Sequence, residues 1–236
     1  MSVLTNNQNE SGSPRGRVGL RIKVCGMTLP EQVNALDEMG VDFAGFIFYP
    51  RSPRYMGNKI SSEKMRKIKG HIAKVGVFVN EPYEQMMKTV DEYRLDMVQL
   101  HGDETPFFCE KVANYVTVVK AFRLADNDPI DWIIRPYHES TDMFMFDTIG
   151  AGYGGTGKKF DWNVLLEASI DKLFFLSGGI EPGDEESIEA FMQQPVSQKM
   201  FSIDINSKFE VNAGVKDMKK IKSFVTRLKV KRGRTE

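Results

Sequence analysis

Short β-rich apolar runs recur along this chain at intervals of roughly 20–30 residues, with helical patterns between them. The runs are "RIKVCG", "DFAGFIFY", "AKVGVFV", "DMVQLH", "VTVVKAFR", "MFMFDT", "KLFFLSGG" and "MFSIDINS". Helix signals fill the gaps, as where Pro30 opens and Gly40 closes the segment containing "EQVNALDEM". "SSEKMRKIKG", "EPYEQMMKTVDEY", "TPFFCEKVANY", "DWNVLLEA", "GDEESIEAFMQQ" and "VKDMKKIKSFVTRL" continue the series. Pro136 should end or kink the helix in "PIDWIIRPYHES". Strict alternation of strand and helix implies parallel strands joined by right-handed crossovers. Eight units in roughly 210 residues match an α/β fold of the (β/α)8 TIM-barrel type. The alternative is a doubly wound open sheet, but the first strand-to-helix turn, "CGMTLP", contains no GxGxxG.

The opening "MSVLTNNQNESGSPRGRVGL" has too much Asn, Ser, Gly and Pro to join a core. Residues 1–20 are expected to form a disordered tail and residues 21–236 a single catalytic barrel domain. That opening also lacks the apolar centre of a secretory signal. Thirty-two basic and 32 acidic residues balance to zero net charge, which argues against a nucleic-acid partner. No apolar run approaches the roughly 20 residues of a membrane span. Two cysteines cannot build a disulfide framework, and the three histidines show no metal-ligand spacing. The expectation is a soluble, reduced, cytoplasmic protein with no membrane partner, no metal and no cofactor.

Strand parity sharpens the reading, because side chains of a barrel strand alternate between its interior and the helix layer. Ile22 and Val24 share one face of the first strand, and Arg21, Lys23 and Cys25 the other. Gln99 and His101 oppose Val98 and Leu100. Asp147 ends the face carrying Met145, and Ser202, Asp204 and Asn206 oppose Ile203 and Ile205. Polar residues therefore gather inside, toward the C-terminal strand ends where barrel enzymes keep their active sites. A carboxylate ending a buried strand needs a partner or a task, because burying it alone is costly. Cys109, beside Phe107 and Phe108, reads as packing.

Two segments suit an anion. "LSGGI" puts Gly178 and Gly179 where backbone N–H groups can approach a phosphate. The loop "NSKFEVNAGVKD" after the eighth strand carries Asn206 and Ser207, and barrels often bind phosphate with these two loops. "GAGYGGTGKKF", with five glycines including Gly155 and Gly157, is a candidate lid or further phosphate wall. It is not a P-loop, since Lys158 is followed by Lys159. A phosphosugar-type substrate, an acid and a possible thiol base fit proton-transfer isomerisation.

"KVCGMT", "GFIFYPRSPRYM", "VGVFVN", "VQLHGDE", "FDT", "GGTGKKFDW", "LSGGI" and "VKD", in that order, resemble the phosphoribosylanthranilate isomerase family of tryptophan biosynthesis. The resemblance runs from about residue 21 to the C-terminus and implies a cofactor-free barrel that performs an Amadori rearrangement. It implies Cys25 as general base and Asp147 as general acid. It also implies Arg54 as the contact to the substrate's aromatic carboxylate, with Gln99 and His101 beside the substrate. Gly155, Gly157, Gly178, Gly179, Asn206 and Ser207 would hold its phosphate. Lys208 stands where the family commonly has glycine, and leaves open whether it adds a charge there. Lys23 is expected to favour the Cys25 thiolate. Another phosphosugar isomerase or epimerase, or a non-catalytic phosphate-binding barrel, are the competing readings. The assembly is expected to be a monomer or a homodimer.

Overall fold

The computed structural model describes residues 20–57, 59–68, 70–148 and 161–232. Eight parallel strands close into a barrel in chain order: β1 (Arg21–Val24), β2 (Phe43–Ile47), β3 (Ala73–Phe78), β4 (Met97–Leu100), β5 (Thr117–Leu124), β6 (Met143–Thr148), β7 (Phe174–Leu176) and β8 (Met200–Ile205). The seam closes where β1 pairs with β8, Lys23 opposite Asp204. All eight expected strands are present, within a few residues of their predicted ends. The Gly- and Ser-rich start of the chain and the "GAGYGGTGKKF" loop lie outside the described residues.

Local chemistry sets the helices. α1 (Pro30–Glu38) begins on proline. α2 (Ser62–Lys67) and α4 (Pro106–Ala113) are capped by Ser61 and Thr105, whose side chains accept from Lys64 N–H and Phe108 N–H. α3 (Tyr83–Tyr93) ends at Arg94, in the left-handed region. α5 (Ile130–Ile134) stops after five residues and tightens into a 3-10 turn, Arg135–Tyr137, around Pro136. α6 (Glu185–Met192) follows β7, and α7 (Met218–Arg232) is the last element described.

Two expectations need correction. "DWNVLLEA" forms a 3-10 turn, Trp162–Glu167, rather than an α-helix. It is short, and its Trp, Asn and Val are weak helix formers. Val215 and Lys216, at the start of the last predicted helix, belong instead to a hairpin, β9 (Glu210–Asn212) with β10 (Val215–Lys216). The helix begins only at Met218.

The core has two parts. Outside the barrel, strand residues such as Val24, Phe46, Phe144 and Ile203 pack against the helices. Inside, Phe43, Val75, Met97, Met145 and Phe175 fill the lower barrel. Phe43 and Phe175 meet at 5.5 Å, and Arg21 lies 4.3 Å over the Phe201 ring at the barrel floor. The lower barrel is thus packed apolar material, and the charged groups sit above it.

One buried charge faces outward instead. Lys120, from β5, donates to the carbonyls of Leu100 (3.3 Å) and Gly102 (2.7 Å) and to Glu104 Oε2 (2.9 Å). Glu104 in turn accepts from the N–H groups of Asn80 (2.8 Å) and Gly102 (3.0 Å), which fixes the loop carrying His101. Removing one partner of a buried pair leaves the other uncompensated. Lys120→Met is expected to cost about 3 kcal/mol of stability, read as a lower urea midpoint at unchanged m-value. The double variant Lys120→Met/Glu104→Gln should recover part of that loss. A Lys120→Met midpoint equal to wild type would contradict this account.

Candidate active site

Cys25 follows β1 on the inward face and is almost fully buried, at 3% exposure, within a small cluster with Ile47 and Val77. Lys23, two residues earlier on the same face, is wholly buried and donates to Asp204 Oδ1 at 2.9 Å. Burial pulls the Lys23 ammonium down, but Asp204 and Cys25 together outweigh it and hold it above its ordinary value. Burial pushes the Cys25 thiol up, and although Lys23 and Lys216 oppose that, the net direction is upward. The expectation that Lys23 favours the thiolate is right in sign, but desolvation is the larger effect.

Across the rim, Asp147 ends β6 inside the barrel. His101 Nε2 lies 3.4 Å from Asp147 Oδ2. Gln99 Nε2 lies 2.7 Å from His101 Nδ1. With the Gln99 amide in this orientation, Nδ1 accepts and the imidazole proton sits on Nε2, facing Asp147. Asp147 also accepts from Thr148 N–H at 2.8 Å and from Ser177 Oγ at 3.4 Å. Burial would raise its carboxyl, but His101, Thr148 and Ser177 more than reverse that and hold it below the usual carboxylate range. The Gln99 side-chain oxygen has no hydrogen-bond partner among the described residues.

The two arginines of "PRSPR", Arg51 and Arg54, lie in different surroundings. Arg51 is exposed, whereas Arg54 is buried at 8% exposure. The Arg54 stem lies against Gly26, where an added Cβ would sit 2.7 Å from Arg54 Cδ and 2.9 Å from Asn206 Oδ1. Gly26 also adopts φ +78°, so only glycine suits this position next to Cys25. Arg54 grips Glu210 through Nε (2.9 Å to Oε1) and Nη2 (2.7 Å to Oε2).

Of the phosphate candidates, Gly178 and Gly179 both adopt positive φ, 93° and 72°, in the loop after β7. Asn206 Oδ1 accepts from Lys216 Nζ at 2.8 Å, and Ser207 opens a 3-10 turn, Ser207–Phe209. Lys208 Nζ lies 3.4 Å from Glu181, so its ammonium joins the β7 and β8 loops. Gly155 and Gly157 lie outside the described residues. Among the described residues, no group of three or more His, Cys, Asp or Glu is placed to hold a metal ion. No helix among them is long and apolar enough to cross a membrane. Cys109 is a buried residue of α4, and burial pushes its thiol up to about 12.

Sequence reasoning missed Glu210 and Lys216 as site residues. The signal was present in "EVNAGVK", an alternating run broken at Ala-Gly that suits a hairpin. The pairing of Glu210 with Arg54 spans 156 residues of chain and has no local signature.

The family model for N-(5'-phosphoribosyl)anthranilate (PRA) isomerase matches residues 22–227. The chain belongs to that family. A curated N-(5'-phosphoribosyl)anthranilate isomerase from Parabacteroides distasonis is 38% identical over 210 residues, covering 88% of this chain and 92% of that one. The corresponding isomerase of Phocaeicola vulgatus is 37% identical over 211 residues, covering 89% and 98%. Among solved structures, the phosphoribosyl anthranilate isomerase of Thermotoga maritima superposes with a TM-score of 0.76 at 34% identity, covering 89% of this chain and 99% of that one. A family structure at TM-score 0.74 and 31% identity, with the same coverage, holds reduced 1-(o-carboxyphenylamino)-1-deoxyribulose 5-phosphate.

The two thiols differ in a way that can be measured. In a Cys109→Ser protein, alkylation of Cys25 by a small iodoacetamide should rise with pH, since only the thiolate reacts. A raised thiol titrates later, so the midpoint is expected above the roughly 8.5 of free cysteine. A midpoint at or below that value would mean that Lys23 overcomes burial.

Proposed function

We infer that this protein converts N-(5'-phosphoribosyl)anthranilate to 1-(2-carboxyphenylamino)-1-deoxyribulose 5-phosphate in tryptophan biosynthesis. The supporting observation is the opposition of Cys25 and the His101–Asp147 pair at one barrel rim, in a chain of this family. Asp147 is the general acid. Its proton goes to the furanose ring oxygen as the C1′–O bond breaks, leaving a protonated Schiff base. Cys25 is the general base and takes the C2′ proton as a thiolate. The electron pair of that C–H bond neutralises the iminium and gives an enolamine, which tautomerises to the ketone. The cationic Schiff base acidifies C2′, so a single modest base suffices.

In this reading Gln99 fixes the His101 ring, and His101 faces the acid. Gly155, Gly157, Gly178, Gly179, Asn206 and Ser207 serve the phosphate, and Arg54 the aromatic carboxylate. The Arg54 fork toward Glu210 is taken, so the carboxylate is met by the end-on edge of the guanidinium, Nη1 with Nη2. The reaction needs only proton transfers, and no metal or cofactor is assigned. Every residue named comes from one chain, so a monomer or a homodimer carries a whole site. We place the protein in the cytoplasm.

Fluorescence loss from freshly made phosphoribosylanthranilate tests this directly. Cys25→Ala and Asp147→Asn should each lower kcat by at least ~10²-fold, the scale of losing an acid or base. Cys109→Ser should leave turnover intact. Near-wild-type turnover in either rim variant would sink the assigned roles. Arg54→Ala is expected to weaken substrate binding by roughly 1.5–3 kcal/mol, mainly in KM. Arg51→Ala should do much less. Equal KM values for wild type and Arg54→Ala would remove Arg54 from the site.

A further inference from the structure

The hairpin β9–β10 meets the loops after β1, β2 and β8, and its Glu210 carboxylate holds the one after β2. Glu210, at 5% side-chain exposure, accepts from Arg54 Nε and Nη2, from Lys216 Nζ at 2.8 Å and from Gly214 N–H at 3.1 Å. Lys216, itself wholly buried at the side chain, carries the connection on to Asn206. Thr28 bonds through its hydroxyl to the Gly214 carbonyl, and Gln32 exchanges two hydrogen bonds with the Lys216 backbone. The hairpin is thereby latched to the loop that follows Cys25.

Two features of this cluster point to a ligand. Arg54 and Lys216 carry one positive charge each against the single negative charge of Glu210. A buried group with excess positive charge is costly until an anion arrives. In addition, Glu210 takes the side-on fork of Arg54, and Nη1 has no hydrogen-bond partner among the described residues. We propose that Glu210 is a positioning residue that holds the Arg54 guanidinium so that its end-on edge receives the aromatic carboxylate of the substrate. Glu210 touches no substrate; it acts through Arg54. The inference rests on the reading of Arg54 given above.

The test compares two ligands, the reduced product analogue and the same compound lacking the ring carboxylate. The ratio of their dissociation constants isolates recognition of that carboxylate, and loop disorder or a damaged phosphate site affects both ligands alike. Glu210→Gln alone changes the charge as well as the geometry. Glu210→Gln/Lys216→Met restores the original net charge of the cluster and isolates geometry. In wild type the carboxylate is expected to improve binding by tenfold or more, and Arg54→Ala should abolish that preference. Both Glu210 variants should lower the preference about tenfold while still binding the ligand without the carboxylate. A preference unchanged in both Glu210 variants but lost in Arg54→Ala overturns the role of Glu210 alone. So does an equal loss of both ligands, which would make Glu210 purely structural. A preference retained in Arg54→Ala overturns the reading of Arg54, and this inference with it.

Discussion

Lys23 and Asp204 face each other across the seam where β1 meets β8, 2.9 Å apart and sealed from solvent. A closed parallel barrel leaves its inward side chains only the barrel axis, so charges placed there must pair. Below this pair the interior is aromatic and aliphatic. Above it lie Cys25 and, across the rim, the carboxylate of Asp147. The ion pair therefore marks the level at which the barrel changes from packed core to chemical site. It also supplies the positive charge nearest the thiol, two residues away on the same face of the same strand.

The surroundings of Cys25 and Asp147 favour the opposite proton arrangement from the one the reaction needs. Burial favours the Cys25 thiol, and His101 with Thr148 and Ser177 favours the Asp147 carboxylate. Catalysis by the proposed route requires a thiolate and a carboxylic acid. The two states contain the same number of protons, so passing between them is a transfer from Cys25 to Asp147 with no net uptake. His101 is suited to assist, because its Nε2 proton already faces Asp147. An iminium formed between the two groups would then draw the thiolate form down in energy, since an opposite charge in a dry site counts for several times its value in water.

Much of this was legible in the sequence, and the reason is geometric. A two-residue period makes the inward face of each strand visible in one dimension, so Lys23, Cys25, Gln99, His101, Asp147 and Asp204 could be assigned to the barrel interior. Pro136 announced the break after α5 in the same local way. What stayed hidden was set by distant partners. The outward Lys120 looks like an error in an apolar strand until Glu104 and two carbonyls are found around it. Arg54 and Arg51 stand three residues apart in a similar proline-rich context, and composition does not separate them. Burial against Gly26 and the fork to Glu210 do.

The same contrast explains how a chain with zero net charge can hold an anionic ligand. Selectivity for anions needs only local imbalance, and the rim achieves it by arranging its carboxylates unevenly. Lys23 is neutralised by Asp204 deep in the barrel, where an extra charge would be most costly. Arg54 and Lys216 share one carboxylate nearer the rim, where a ligand can complete the balance. Lys208 is held by Glu181 between the β7 and β8 loops, so its ammonium joins those loops instead of standing free. The hairpin that carries Glu210 and Lys216 thus sets both the shape and the charge of the rim. It does so from a stretch of chain that forms no part of the barrel wall.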